Sequence, residues 1–101
     1  MSAHGIQVVA TIPAKEDGIE GMRAALTALA EASREEAGCL AYDLFESATN
    51  AGVFITVERW ADKAAMDAHM GTDHIATAMT AMADHLGGGV SIHALRPVSV
   101  G

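Results

Sequence analysis

The chain has one cysteine, two prolines and four aromatic side chains among 101 residues. A single cysteine excludes an internal disulfide and is typical of a reducing compartment, so we expect a cytoplasmic protein. We interpret Cys39, at the start of a predicted strand, as a buried and unreactive thiol rather than a nucleophile.

Clustered cations and long apolar runs are also missing. The six lysines and arginines stand singly in a chain of net charge −7, whereas phosphate backbones and anionic membrane surfaces attract clustered cations. No apolar run approaches the roughly 18 residues of a membrane span. Residues 1–5 lack the basic start and apolar core of a signal peptide. We therefore expect neither a nucleic acid nor a membrane as partner.

Half of the residues are hydrophobic, and in four segments they alternate as in β-strands. These predicted strands span residues 6–13, 40–46, 53–60 and 90–97. A polar loop, residues 47–52, joins the middle two strands as an antiparallel hairpin. Because residues 53–60 are largely apolar on both faces, the fold is organised around that strand.

Two helical regions are predicted between the strands. The first begins at a cap, Asp17, with Glu20 at the capping-box position, and runs to about Ala37, where Gly38 ends it. Its apolar face comprises Ile19, Met22, Leu26, Leu29, Ala30 and Ser33.

The second helical region is split. Asp62 caps a segment that reaches about Met70, and residues 71–73 interrupt it. Thr72 or Asp73 then caps a further segment that ends before the glycines 87–89. The apolar face of this last segment comprises Ile75, Met79, Met82 and Leu86.

This order of elements predicts one domain, residues 1–101, of the α+β class. It is the ferredoxin-like βαββαβ order, with a four-stranded antiparallel sheet and all helices on one face. Since the strands are apolar on both sides, the face without helices needs a cover. We expect a homodimer that pairs these sheet faces.

Five polar or aromatic side chains could form a site where the central strand ends. Glu58 and Trp60 share one strand face, with Tyr42 on the neighbouring strand, and His69 and His74 follow on the split helix. An imidazole is a suitable proton acceptor and an indole a suitable stacking surface. Alternatively, Trp60, Tyr42 and the histidines are core residues, and Glu58 forms an ion pair across the dimer.

A cavity for a planar apolar ligand could lie under the helices. Abundant alanine and few aromatics leave the layer between sheet and helices thinly filled, and methionine suits an adaptable wall. The candidate wall residues are Met66, Met70, Met79 and Met82. Tighter helix packing without a cavity is the alternative.

We expect no metal ion, because His69 and His74 are five residues apart across a helix break and Cys39 is alone. We also expect no nucleotide, because the glycines 87–89 precede a strand instead of following one.

Three short motifs occur in order along the chain. They are Gly38-Cys39-Leu40, then Glu58-x-Trp60 with Met66, Ala68-His69 and Thr72-x-His74, and finally Leu95-Arg96-Pro97. With them, residues 5–98 resemble the antibiotic biosynthesis monooxygenase domain of the dimeric α/β-barrel proteins. The resemblance implies the ferredoxin-like fold, a homodimer and a site near Trp60.

Members of that family include cofactor-free oxygenases of phenols and quinols, haem-degrading enzymes and an isomerase of a sugar phosphate. Only Trp60 matches the haem-degrading members, whose axial histidine falls near Met79 and whose strand asparagine falls near Ala10. The resemblance thus implies a monooxygenase of an aromatic substrate that reacts with oxygen without metal or flavin. His69 or His74 would be the base, and Glu58 or Tyr42 the orienting group.

Two alternatives come from other classes. One is a dimeric module that binds an apolar metabolite without catalysis. The other is an isomerase of a polar substrate, for which the scattered Arg59, Lys63 and Arg96 provide few anchors.

Overall fold

The computed structural model describes residues 5–100, so residues 1–4, used above in the argument on signal peptides, lie outside it. A four-stranded antiparallel sheet has the order β2-β3-β1-β4. Its strands are β1 (Ile6–Pro13), β2 (Cys39–Glu46), β3 (Val53–Trp60) and β4 (Ser91–Ala94). The helices are α1 (Ile19–Ser33), α2 (Lys63–Met70) and α3 (Asp73–Met82), with a short 3₁₀ turn, Glu16–Gly18, before α1. The predicted fold class is confirmed.

The helices cover the sheet face that carries Phe54, Thr56, Glu58 and Trp60. All four of these side chains are buried. The cross-strand register places Val8 and Tyr42 on that face, both opposite Glu58. The other face carries Ile55 and Val57, partly buried within one chain, and the exposed Phe45. Strand alternation predicted these two sets of residues but not which set the helices cover.

The predicted ends of the first helix are wrong. Asp17 lies in the 3₁₀ turn, and the cap of α1 is Gly18, with no side-chain hydrogen bond. The helix ends at Ser33 instead of Ala37, because the side chains after Ser33 are polar or small and offer no apolar face to bury. The core residues Met22, Leu26, Leu29, Ala30 and Ser33 are buried as expected.

The caps of the split helix are as predicted. The Asp62 carboxylate accepts from the Ala65 N–H at 2.8 Å. The Thr72 hydroxyl accepts from Ile75 N–H at 3.3 Å and donates to the His69 carbonyl at 2.8 Å. Thr72 therefore closes α2 and starts α3.

Two boundaries at the C-terminal end differ from prediction. α3 ends at Met82 instead of reaching Leu86, and its buried face uses Ala78 in place of Met79, which is 62% exposed. β4 is only Ser91–Ala94, because its register with β1 extends over four residue pairs.

Candidate functional site

A cavity of about 540 Å³ lies between the helix-covered face of the sheet and the three helices. Most of its wall is apolar, and exposed Ile92 and Ala94 of β4 contribute to it together with Val90, just before that strand. The polar side chains in the wall are Tyr42, Thr56, Glu58, Asp67 and His69. The prediction of an apolar space under the helices is therefore confirmed.

All four predicted methionines line this cavity: Met66, Met70, Met79 and Met82. Met82 is buried, whereas about half of Met70 and most of Met79 are exposed. The methionines thus extend from the interior of the cavity to its solvent side. Three flexible bonds and a polarisable sulfur let such side chains adapt to a ligand.

His69 is the buried histidine of the cavity wall. Its Nδ1 lies 2.6 Å from Glu36 Oε2, and its ring stacks on Trp60 with 4.4 Å between centroids. Within residues 5–100 its Nε2 makes no hydrogen bond. It differs from Ser33 Oγ, which also lacks a partner but is fully inaccessible to solvent. Nδ1 therefore donates to the carboxylate, and Nε2 is left to accept a hydrogen bond from a ligand.

Glu36 joins the two predicted histidines. Its Oε2 also lies 2.6 Å from His74 Nε2, so one carboxylate oxygen accepts from both imidazoles. His74 is not part of the cavity wall, and 27% of its side chain is exposed. Of the two candidate bases, only His69 therefore contacts the cavity.

The sequence reasoning missed Glu36, because it placed this residue on a longer first helix. Its carboxylate reaches residues 33 and 38 positions further along the chain. Such long-range contacts leave no periodic signal. The loss of apolar periodicity after Ser33 is the one local sign that the helix ends before Glu36.

Glu58 has partners that the sequence analysis did not name. Its Oε1 accepts from Trp60 Nε1–H at 3.0 Å, and its Oε2 accepts from the Thr56 hydroxyl at 2.7 Å. Within residues 5–100 these are its side-chain hydrogen bonds, and the alternative of an ion pair across the dimer remains a prediction. Residues two apart on a strand share a face, which is the sequence signal for both contacts.

Trp60 is fully buried and is not part of the cavity wall. It packs on His69, and its ring meets Tyr42 edge-on at 6.4 Å. Its predicted role as a stacking surface for a ligand remains a prediction. In this structure its indole supports the imidazole and the Glu58 carboxylate.

Tyr42 lines the cavity beside Glu58. Burial first, and the Glu58 charge second, raise the pKa of its phenol far above the usual range. The phenol therefore stays neutral and can orient a ligand by hydrogen bonding, but it is no base. Burial likewise raises the pKa of the half-buried Cys39 thiol, which supports its interpretation as unreactive.

The Glu36, His69 and His74 ligand atoms lie within 4.8 Å of one another, as in some metal sites. The sequence argument from spacing therefore does not hold in three dimensions. The two contacts of 2.6 Å are nevertheless those of hydrogen bonds. Around a tetrahedral zinc the ligand atoms lie about 3.3 Å apart, as follows from bonds of about 2.0 Å. The cluster would have to open to bind a metal, so we treat it as a hydrogen-bonded unit.

Gly38 holds the turn that carries Glu36 against the helix that carries His69. Its φ is +87°, and an added Cβ would lie 2.7 Å from Ala65 Cβ on α2. Its carbonyl accepts from the Ala61 N–H at 2.8 Å. Left-handed φ and close approach both require glycine here.

We expect Gly38→Ala to lower the free energy of unfolding by about 1–3 kcal/mol, because it adds backbone strain and a clash with Ala65. Gly71→Ala is the matched control. Gly71 has a negative φ of −99°, and an added Cβ would lie 3.7 Å from the Ala68 carbonyl oxygen. The free energy of unfolding of that variant should therefore stay within about 0.5 kcal/mol of the parent value. Urea unfolding of both variants tests this, and equal loss in the two would contradict it.

Within residues 5–100, no helix combines the length and the hydrophobicity needed to cross a bilayer.

The family model described as antibiotic biosynthesis monooxygenase matches residues 5–81. Rv0793 of Mycobacterium tuberculosis, provisionally named a monooxygenase, is 31% identical over 93 residues, which are 92% of this chain and 91% of that protein. YcnE of Bacillus subtilis, also provisionally named a monooxygenase, is 36% identical over 69 residues, which are 68% of this chain and 73% of that protein.

Solved structures agree with these matches. PA3566 of Pseudomonas aeruginosa superposes with a TM-score of 0.87 at 31% identity, covering 98% of this chain and 99% of that one. The Rv0793 structure superposes with a TM-score of 0.85, covering 94% and 96%. From the family match and these relatives, the chain belongs to the antibiotic biosynthesis monooxygenase family.

Proposed function

We propose that the protein is a cofactor-independent monooxygenase of a quinol- or phenol-like aromatic substrate. The observation that carries this proposal is the buried His69 in the wall of an apolar cavity, with Nδ1 bound by Glu36 and Nε2 left without a partner. An imidazole held in this way is a general base. The family and the names of the relatives support a monooxygenase role.

The proposed reaction begins with removal of a proton. His69 Nε2 takes it from an activated C–H or O–H of the bound aromatic, and the negative charge spreads over the rings. The anion gives two electrons to molecular oxygen and a carbon–oxygen bond forms. Protonated His69 then returns its proton to the terminal peroxide oxygen, which gives a hydroperoxide. Loss of water from the resulting hydroperoxide leaves a carbonyl, so that a ring CH₂ and O₂ become C=O and H₂O. The Glu58 carboxylate or the Tyr42 hydroxyl would orient the substrate.

The cavity suits such a substrate in size and polarity. Small-molecule pockets are about 300–1,000 Å³ and mostly apolar, and this one has about 540 Å³. No lysine or arginine of residues 5–100 lines it. An isomerase of an anionic sugar would need such cations, so the cavity favours the aromatic substrate over that alternative.

Oxygen uptake tests the proposal. Purified protein is mixed with a panel of hydroquinones, naphthols and anthrone-like phenols, and an oxygen electrode records consumption above the autoxidation rate. We expect saturable uptake with one O₂ used per carbonyl formed. Binding of these compounds without oxygen consumption would instead support the non-catalytic binding module.

We further propose that two chains pair through the sheet face opposite the helices, and that the protein acts in the cytoplasm on a small aromatic and oxygen. The apolar Ile55, Val57 and Phe45 on that face support the dimer, because one chain leaves them partly or largely exposed.

Sedimentation should therefore give a dimer for the parent chain and a monomer for Val57→Lys. A lysine in the middle of the paired sheets would bury an uncompensated charge. Thr27→Lys, on the exposed side of α1, is the matched control and should remain dimeric. A parent chain that sediments as a monomer at micromolar concentration would contradict this pairing.

A further inference from the structure

We propose that Glu36 and His74 are positioning residues, which fix the protonation form and the orientation of His69. This inference rests on the proposed function for its catalytic meaning. Its structural part, which nitrogen of His69 carries the proton, is independent of any substrate.

Glu36 determines the tautomer of His69. A neutral imidazole has one N–H, and a carboxylate can only accept. With 2.6 Å between Nδ1 and Oε2, the proton must be on Nδ1, which leaves the Nε2 lone pair for the substrate. The imidazolium that forms on proton transfer is then adjacent to the Glu36 charge and stacked on the Trp60 ring.

His74 in turn holds Glu36. Its Nε2–H donates to the same oxygen at 2.6 Å, from the start of α3. Side-chain exposure rises along the series, from 4% for His69 through 12% for Glu36 to 27% for His74. The carboxylate is therefore fixed between a buried imidazole and a partly exposed one.

Further hydrogen bonds fix the chain segments that carry these three residues. Arg34 Nε donates to the Tyr42 carbonyl at 2.8 Å, and Cys39 N–H donates to the Glu36 carbonyl at 3.1 Å. The Thr72 bridge sets the spacing between His69 and His74. The turn after α1, helix α2 and the start of α3 thus converge on one carboxylate oxygen. An incidental surface contact would not be supported by several further hydrogen bonds.

The first experiment reads the tautomer directly. Two-bond ¹H–¹⁵N correlation spectra of uniformly labelled protein distinguish the protonated from the unprotonated nitrogen of each histidine ring. We expect His69 to carry its proton on Nδ1 in the parent chain. In Glu36→Ala it should shift toward the Nε2–H form, which solvent-exposed imidazoles prefer. A parent His69 protonated on Nε2, or an unchanged tautomer in Glu36→Ala, would overturn the proposal whether or not oxygen is consumed.

The second experiment applies if the parent chain turns over a substrate. Glu36→Gln should lower kcat by about 10–100-fold while KM stays within about threefold, because the charge that supports the imidazolium is lost. Glu36→Asp should recover part of the rate, and His74→Gln should lower it less. Glu35→Gln, at the exposed neighbouring position, is the control. Equal loss in Glu36→Gln and Glu35→Gln would overturn the proposal.

A metal ion is a distinct outcome. The parent chain is titrated with Zn²⁺ and Co²⁺, and ligand-field absorption is recorded for Co²⁺. Stoichiometric binding with tetrahedral Co²⁺ bands that disappear in Glu36→Ala would overturn the positioning role and assign a metal site. If no aromatic compound of the panel supports oxygen consumption but His69 carries its proton on Nδ1, only the proposed function is refuted.

Discussion

Replacing His69 with glutamine should lower the kcat of oxygen uptake by about 10²–10⁴-fold, the range usual for loss of a general base. Glutamine keeps a polar group near Glu36 but has no nitrogen that can accept a proton. Because the cavity wall is otherwise unchanged, binding of a substrate analogue should weaken by only a few fold. Initial rates on an oxygen electrode, together with analogue binding by calorimetry, separate the two effects.

The control for this variant is Glu31→Gln. Glu31 is an exposed residue of α1 and is not part of the cavity wall, so the substitution should leave kcat unchanged. If His69→Gln retained the parent kcat, the base would have to be another group, and Glu58 would be the next candidate in the wall. Far-ultraviolet circular dichroism of each variant shows whether a loss of turnover is accompanied by a loss of folded structure.

Trp60→Phe should lower the free energy of unfolding by about 2–4 kcal/mol, which is the largest stability effect that we expect at the site. The smaller ring leaves space beside His69. Loss of the indole N–H also leaves Glu58 Oε1 without its donor in a buried setting. Urea unfolding followed by circular dichroism measures the change.

A double-mutant cycle isolates the hydrogen bond from the packing loss. Glu58→Gln makes the acceptor neutral, and a neutral amide loses less than a carboxylate when it is left unpaired. In the Glu58→Gln background, Trp60→Phe should therefore cost about 1–2 kcal/mol less than in the parent chain. Strict additivity of the two substitutions would show that packing alone accounts for the effect.

Sequence patterns predicted the fold because each element is amphipathic with a clear period. α1 buries Leu26 and Leu29 at helical spacing, and β3 buries Phe54 and Thr56 at alternate positions. Helices that all lie on one face of the sheet can bury the side chains of that face only. The same reasoning therefore identified a sheet face that needs a partner, although the face that the helices cover could be assigned only from the structure.

The candidate site was less predictable, because its contacts join distant segments. Residue type alone singled out His69 and His74 as titratable groups near the end of β3. Nothing local could show that both reach Glu36, which is separated from them by β2 and β3. Met79 shows a second limit. Helical spacing favoured it for the buried face, but Ala78 lets α3 approach α1 closely, and Met79 is left largely exposed.

Trp60 is the chain's only tryptophan, and its ring lies 4.4 Å from the His69 ring. Indole emission is quenched by a protonated imidazole in stacking contact, and no second indole contributes background. The ultraviolet fluorescence of the unlabelled chain is thus an optical readout of the charge on His69. A stopped-flow emission trace could follow proton arrival at that ring in real time, with no dye attached.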